Sequence, residues 1–211
     1  MEKRLEKDWS LGYILDHWIR VVAIAVLIFT GIYIHWPFIG GGPDSFIMAQ
    51  MRFAHFVAAY VLILGLIIRV YMAFKSTFDA DWKDFSLIEN VKNIPDVLGY
   101  YLFIKKSHKK YRRYNPLQAL AYLFTGVVIV LTFLTGGALY HGTMFMIFKA
   151  PDSFRWVSDL LGGESYTRIW HILFMWYFII FLLIHIYLAI TISMIEKDKT
   201  LSSIFTGYKL K

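Results

Sequence analysis

Two histidines, His171 and His185, lie 14 residues apart in one long apolar stretch of this 211-residue chain. On an α-helix they stand about 21 Å apart along the axis and about 40° apart in azimuth. One helix face therefore carries an imidazole near each side of a bilayer. Ionisable side chains at membrane depth are costly and mark cofactors or transport paths. Each such imidazole can take an axial position on a haem iron, so the spacing predicts a helix that ligates two stacked haems.

The elements that must position them are membrane spans. Four stretches, roughly 17–37, 53–74, 117–140 and 169–195, are long enough to cross about 30 Å of hydrocarbon. With 58% hydrophobic content, the whole of 1–211 is expected to be one all-α integral membrane domain, a four-helix bundle. The first stretch is not read as a cleavable signal peptide. It runs past any h-region, lacks a small-residue cleavage site and carries His17 and Arg20 at its start.

The net charge of +7 is unevenly placed. Eighteen of the 22 Lys and Arg fall at the N-terminus, in the 75–115 loop, at the C-terminus or at the adjoining helix ends. The other side holds only Arg52, Lys149, Arg155 and Arg168. This positive-inside pattern predicts a multi-pass protein of the bacterial cytoplasmic membrane with both termini in the cytoplasm. The charge orients the chain, and no nucleic-acid partner is needed to explain it. The chain has no cysteine, which excludes disulfides, thiolate-ligated clusters, CxxCH haem attachment and thiol catalysis within it.

Between spans, Trp36-Pro37 and Gly40-Gly41-Gly42-Pro43 predict an outer turn. Trp18, Trp36, Tyr60, Tyr71 and Tyr140 read as an interfacial aromatic belt. The cytoplasmic loop 75–115 contains Leu87 to Phe103, expected as a surface helix broken by Pro95. The basic run 105–114 reads as a juxtamembrane cluster meeting anionic lipid. The outer loop 141–167 holds a short amphipathic piece around Phe154 to Leu161, ended by Gly162-Gly163.

With the N-terminus inside, spans one and three run outward and spans two and four run inward. His17 and His185 then share the inner depth, while His55 and His171 share the outer depth. Six-coordinate haem needs two imidazoles facing each other from different helices, and these four residues form two such pairs. The plainer reading of any one of them is a polar contact between helices. His35, 18 residues after His17, could compete as an outer ligand, although it borders Trp36-Pro37 at the interface. His141 closes span three at the same edge.

Arg20, Arg52 and Arg168 each lie three residues from a proposed ligand, and Arg69 lies 14 beyond His55 at the inner depth. Haem propionates would accept such cations, but arginines near helix ends also snorkel to lipid phosphates unaided. Gly31, Gly65, Gly126, Gly136 and Gly137 leave room for a macrocycle or simply for close helix packing.

His17-Trp18-Ile19 followed by an apolar run to Leu27, Phe29, Thr30 and Gly31 resembles an H-W-[aliphatic]…L-x-[apolar]-T-G pattern. Arg168-Ile169-Trp170-His171, Trp176, Phe181 and His185 resemble R-x-[aromatic]-H-x4-W-x4-F-x3-H. Both belong to the b-type cytochrome subunits of membrane-bound nickel–iron hydrogenases, relatives of the formate dehydrogenase gamma subunit. The resemblance implies two b haems, His17–His185 near the cytoplasm and His55–His171 near the outside.

It also implies a quinone site (menaquinone or ubiquinone) beside the inner haem. There Asn115 matches a family asparagine, Gln118 follows one turn on, and His108 could deliver protons. Asn115-Pro116 also reads as an ordinary helix start. The implied role is passage of electrons from an outward-facing hydrogenase, with its small and large subunits, through outer then inner haem to quinone. Alternatives are the equivalent subunit of formate dehydrogenase, thiosulfate reductase or another periplasmic oxidoreductase, and a histidine-lined proton or metal-ion permease.

Overall fold

The computed structural model describes residues 5–38, 40, 45–76, 78–79, 81–102, 104–105, 109, 111, 113–144, 147–196 and 200–210. Four long apolar helices dominate it: α1 (Leu11–His35), α2 (Phe46–Lys75), α4 (Pro116–Leu139) and α6 (Glu164–Glu196). By length and composition each can cross a membrane. Their outward faces stay apolar, with Leu64, Ile67, Ile68, Leu183 and Ile184 each more than half exposed. A protein in water would bury such side chains, whereas lipid solvates them. The chain is a multi-pass membrane protein.

Helix starts follow local chemistry. Ser10 caps α1 by accepting from the Tyr13 amide at 3.2 Å, and Ser45 caps α2 through Met48 in the same way. The first span thus starts at Leu11, ahead of position 17, because its cap precedes the first strongly apolar residues. Asn115 and Gln118 form a reciprocal capping box on α4, with Pro116 in the first turn. The outer-loop helix α5 (Ala150–Leu161) ends where Gly162 takes a left-handed φ of 88°, as its Gly-Gly pair predicts. Before it, β2 (Thr143–Met144) pairs with β3 (Phe148–Lys149). The turn expected at Gly41-Gly42-Pro43 lies outside the described residues.

Helix α3 (Leu87–Tyr101) corrects one expectation, since it runs unbroken through Pro95. The missing amide removes one hydrogen bond to the Val91 carbonyl, on a residue that is itself exposed. The Trp18 indole donates to the Ile204 carbonyl at 3.1 Å, and the Tyr60 ring packs on Phe133.

Both chain ends meet at one end of the bundle, called here the terminal end. Strand β1 (Leu5–Lys7) pairs antiparallel with β4 (Tyr208–Leu210), just after the short helix α7 (Thr200–Thr206). The amides of Asp8 and Trp9 both donate to the Gly207 carbonyl. Arg113 fastens this clasp to the loop, donating to the Asp8 carboxylate at 2.8 Å and to the Phe78 carbonyl while stacking on the Trp9 and Phe78 rings. A midplane core of Ala23, Leu62, Val128, Ile129 and Phe178 separates this end from the distal one.

Candidate functional site

The bundle brings the four histidines together as two pairs. At the terminal end His17 of α1 faces His185 of α6, with ring centroids 6.4 Å apart. At the distal end His55 of α2 faces His171 of α6 at 6.3 Å. These separations have a chemical meaning. A metal–imidazole bond of about 2 Å, plus about 1.1 Å from that nitrogen to the ring centre, would put two imidazoles that share one metal about 6.2 Å apart. Among the described residues no group of three or more His, Cys, Asp or Glu could hold a metal ion. A pair of imidazoles offers two axial ligands and leaves the equatorial positions to a macrocycle. The residues present fit haem.

The distal pair is shaped by hydroxyls and small residues. Thr30 Oγ1 lies 2.8 Å from His55 Nδ1, and Thr135 Oγ1 lies 2.9 Å from His171 Nδ1. A methyl group on Gly136 would stand 3.1 Å from Cε1 of His171, so any side chain there would press on the imidazole. His35, its ring edge-on to Trp36, lines the same cleft with His55, His171, Gly31 and Met175.

The terminal pair is bordered by rings. His185 stacks on Phe181, with ring planes 13° apart, and meets Tyr122 edge-on. Tyr122 leads through Tyr114 to Trp9 and Tyr13, and the Tyr13 and Tyr114 hydroxyls are hydrogen-bonded. Arg20 pairs with the buried Asp16 at 2.5 Å, its stem lying where a Gly65 side chain would be. Arg69 is buried at this end, over the Tyr13 and Phe85 rings.

The remaining candidates are scattered. Arg168 makes an exposed pair with Glu164 at 2.8 Å, and His141 approaches the same carboxylate at 3.6 Å. Arg52 sits in the first turns of α2. Asn115 caps α4, and its Nδ2 donates to the Tyr101 hydroxyl at 2.6 Å. His108 lies outside the described residues. Beside Tyr101 is a cavity of about 260 Å³ between α3 and α6, lined by Tyr100, Tyr101, Lys105, Tyr187 and Thr191 among others.

Three described basic residues of the run 105–114 are engaged with carboxylates. Asp96 accepts from Lys105 Nζ, the Lys109 amide and Tyr111, while Arg113 turns inward to Asp8. The Lys105 ammonium and the Lys109 amide hold the Asp96 carboxyl below the usual carboxylate range. Burial and Asp96 push the Tyr111 phenol up. Sequence reasoning missed Thr135, Tyr101, Lys105 and Tyr187, and it read Thr30 only as part of a motif. Threonines at the depth of the outer histidines were the available signal.

The family described as prokaryotic cytochrome b561 matches residues 8–207. An Azotobacter vinelandii protein described as "probable Ni/Fe-hydrogenase B-type cytochrome subunit" is 34% identical over 205 residues, 93% of this chain and 85% of its own length. A Cupriavidus necator protein of the same description is 32% identical over 92% of this chain and 83% of its own. An Escherichia coli K12 protein, "probable Ni/Fe-hydrogenase 1 B-type cytochrome subunit", is 29% identical over 92% and 86%. This chain belongs to the prokaryotic cytochrome b561 family.

Proposed function

We propose that this chain is the membrane cytochrome b of a nickel–iron hydrogenase and conducts electrons from that partner to a membrane quinone. Membership of a b-type cytochrome family implies haem b. The relatives' descriptions supply the hydrogenase. The observation that carries the reading is the pair of imidazole separations, 6.3 and 6.4 Å, at opposite ends of one bundle.

His55 and His171 would hold one haem at the distal end, and His17 and His185 the other at the terminal end. When bound, the haems supply one-electron redox steps that protein side chains lack. The chain's residues fix the ligand faces, and the apolar midplane core excludes water between them. Buried Arg69, and Arg20 with its Asp16 partner, place cationic charge at the terminal end, where propionates would need it.

The cavity beside Tyr101 would take the quinone head, with the Tyr101–Asn115 pair, Tyr187 and Thr191 offering hydrogen bonds to its carbonyls. Gln118, one turn into α4, and His108 belong to the same proposed region. Reduction consumes two electrons, from hydrogen oxidised at the partner, and two protons, entering at the cytoplasmic terminal end. Lys105 stands at the cavity wall as a donor on that route. The distal end would face the hydrogenase small subunit, which in turn carries the large one. Electrons moving inward, with protons released outside and consumed inside, would charge the inner membrane.

The test is a reduced-minus-oxidised spectrum of the purified complex. Two b haems per chain, reduced by hydrogen and reoxidised by quinone, are expected. Reduction by formate but not hydrogen would reassign the partner, and absence of haem would return the histidines to a permease. Asn115→Asp should slow reoxidation by quinone without slowing reduction by hydrogen.

A further inference from the structure

We propose that Thr30 and Thr135 are positioning residues that set the tautomer and donor strength of the two distal histidines, a control that no described hydroxyl exerts on the terminal pair. The inference rests on the haem reading above. It begins with a proton count. A threonine hydroxyl has one proton to give. Thr30 Oγ1 lies 2.6 Å from the Val26 carbonyl, and Thr135 Oγ1 lies 2.9 Å from the Leu131 carbonyl and 3.1 Å from that of Thr132. Those oxygens can only accept, so each hydroxyl has already donated backwards along its own helix.

The ring nitrogens at 2.8 and 2.9 Å must then donate to the hydroxyls. His55 and His171 are therefore protonated on Nδ1. Each imidazole is left with its lone pair on Nε2, the nitrogen free to bind a metal.

The same arrangement is built twice, on different helices. Thr30 of α1 serves His55 of α2, and Thr135 of α4 serves His171 of α6. β-Branching limits each threonine's χ1 in a helix, so the acceptor is fixed before any ligand arrives. Among the described residues no hydroxyl or carboxylate bonds His17 or His185; the His17 ring meets Trp18 edge-on and the His185 ring stacks on Phe181.

A hydrogen bond from Nδ1–H enriches the ring in electrons and favours the oxidised metal. Two such bonds at one site hold its potential below the value bare imidazoles would give. Removing them should raise the distal potential and leave the terminal one alone.

The experiment uses the full complex with Thr30→Val, Thr135→Val and the corresponding serine variants. The readouts are a redox titration of both b centres and their low-spin electron paramagnetic resonance. Either valine variant is expected to shift the distal potential upward and alter the distal resonance, or to lose the distal haem. Serine should restore both signals, and the terminal centre should not move. Valine variants with wild-type distal signals, or serine variants as altered as valine, would overturn the proposal. A wild-type distal haem that survives His55→Ala would overturn the haem reading beneath it, so the two failures are distinct.

Discussion

At the distal end, His55 and His171 each meet a threonine hydroxyl, whereas at the terminal end His17 and His185 meet aromatic rings. Each distal threonine is held by its own preceding turn, and its contact with the imidazole crosses between two spans. The terminal surroundings are assembled from Trp9, Tyr13, Tyr114 and Tyr122, beneath a clasp that joins the two chain ends. The distal site is built from the spans alone; the terminal one also depends on the loop and the clasp. The first should survive damage to the loops, and the second should not.

The ligands give the largest effect. His171→Ala should halve the haem content and stop hydrogen from reducing the haem that remains. His185→Ala should also halve it, yet leave the remaining haem reducible. Spectra under hydrogen compare them directly, and equal behaviour would remove the order of transfer. Gly136→Leu should resemble His171→Ala at the distal haem, because even a methyl there meets the imidazole at 3.1 Å. The terminal haem should be retained, as measured by haem per chain.

The clasp gives an intermediate effect. The Arg113–Asp8 pair is mostly buried, with side chains 22% and 12% exposed. Its loss in Arg113→Ala should cost about 2 kcal/mol, between the values for surface and fully buried pairs. Thermal release of the two haems should then separate, with the terminal haem leaving first. Simultaneous release would show that the ends are not independent.

The same contrast explains what could be read in advance. Span positions and the two histidine pairs follow from hydropathy and depth, which are properties of each helix alone. The four long helices start ahead of the expected positions, with the largest difference at α2, where Ser45 supplies a cap at Phe46 rather than 53. The pairing of Leu5 with Leu210 has no local signal, since three-residue strands carry no pattern. Nor could the basic run reveal that Arg113 turns inward while Lys105 is held by Asp96. The threonines were visible, but their role needed neighbouring helices placed side by side.

The smallest effect concerns the loop beside the cavity, where Asp96 gathers Lys105, the Lys109 amide and Tyr111. Asp96 is depressed below its ordinary 3.8, so its contribution is complete above that value and lost as pH falls through the lower, folded one. Tyr111 is raised above its ordinary 10.0, so its share is complete below 10.0 and lost as pH rises through the folded value. The loop should therefore stay fastened from about pH 4 to about pH 10. Hydrogen exchange at the Lys109 amide, corrected for its intrinsic rate, should be flat across that window and accelerate outside it. Asp96→Asn should exchange faster throughout, with no acid limb, because the carboxylate that titrates is gone. Both haems should keep their wild-type spectra, since this fastening touches neither imidazole pair. A disturbed distal spectrum would show that the terminal loop reaches across the apolar core, and the division between the two ends would fail.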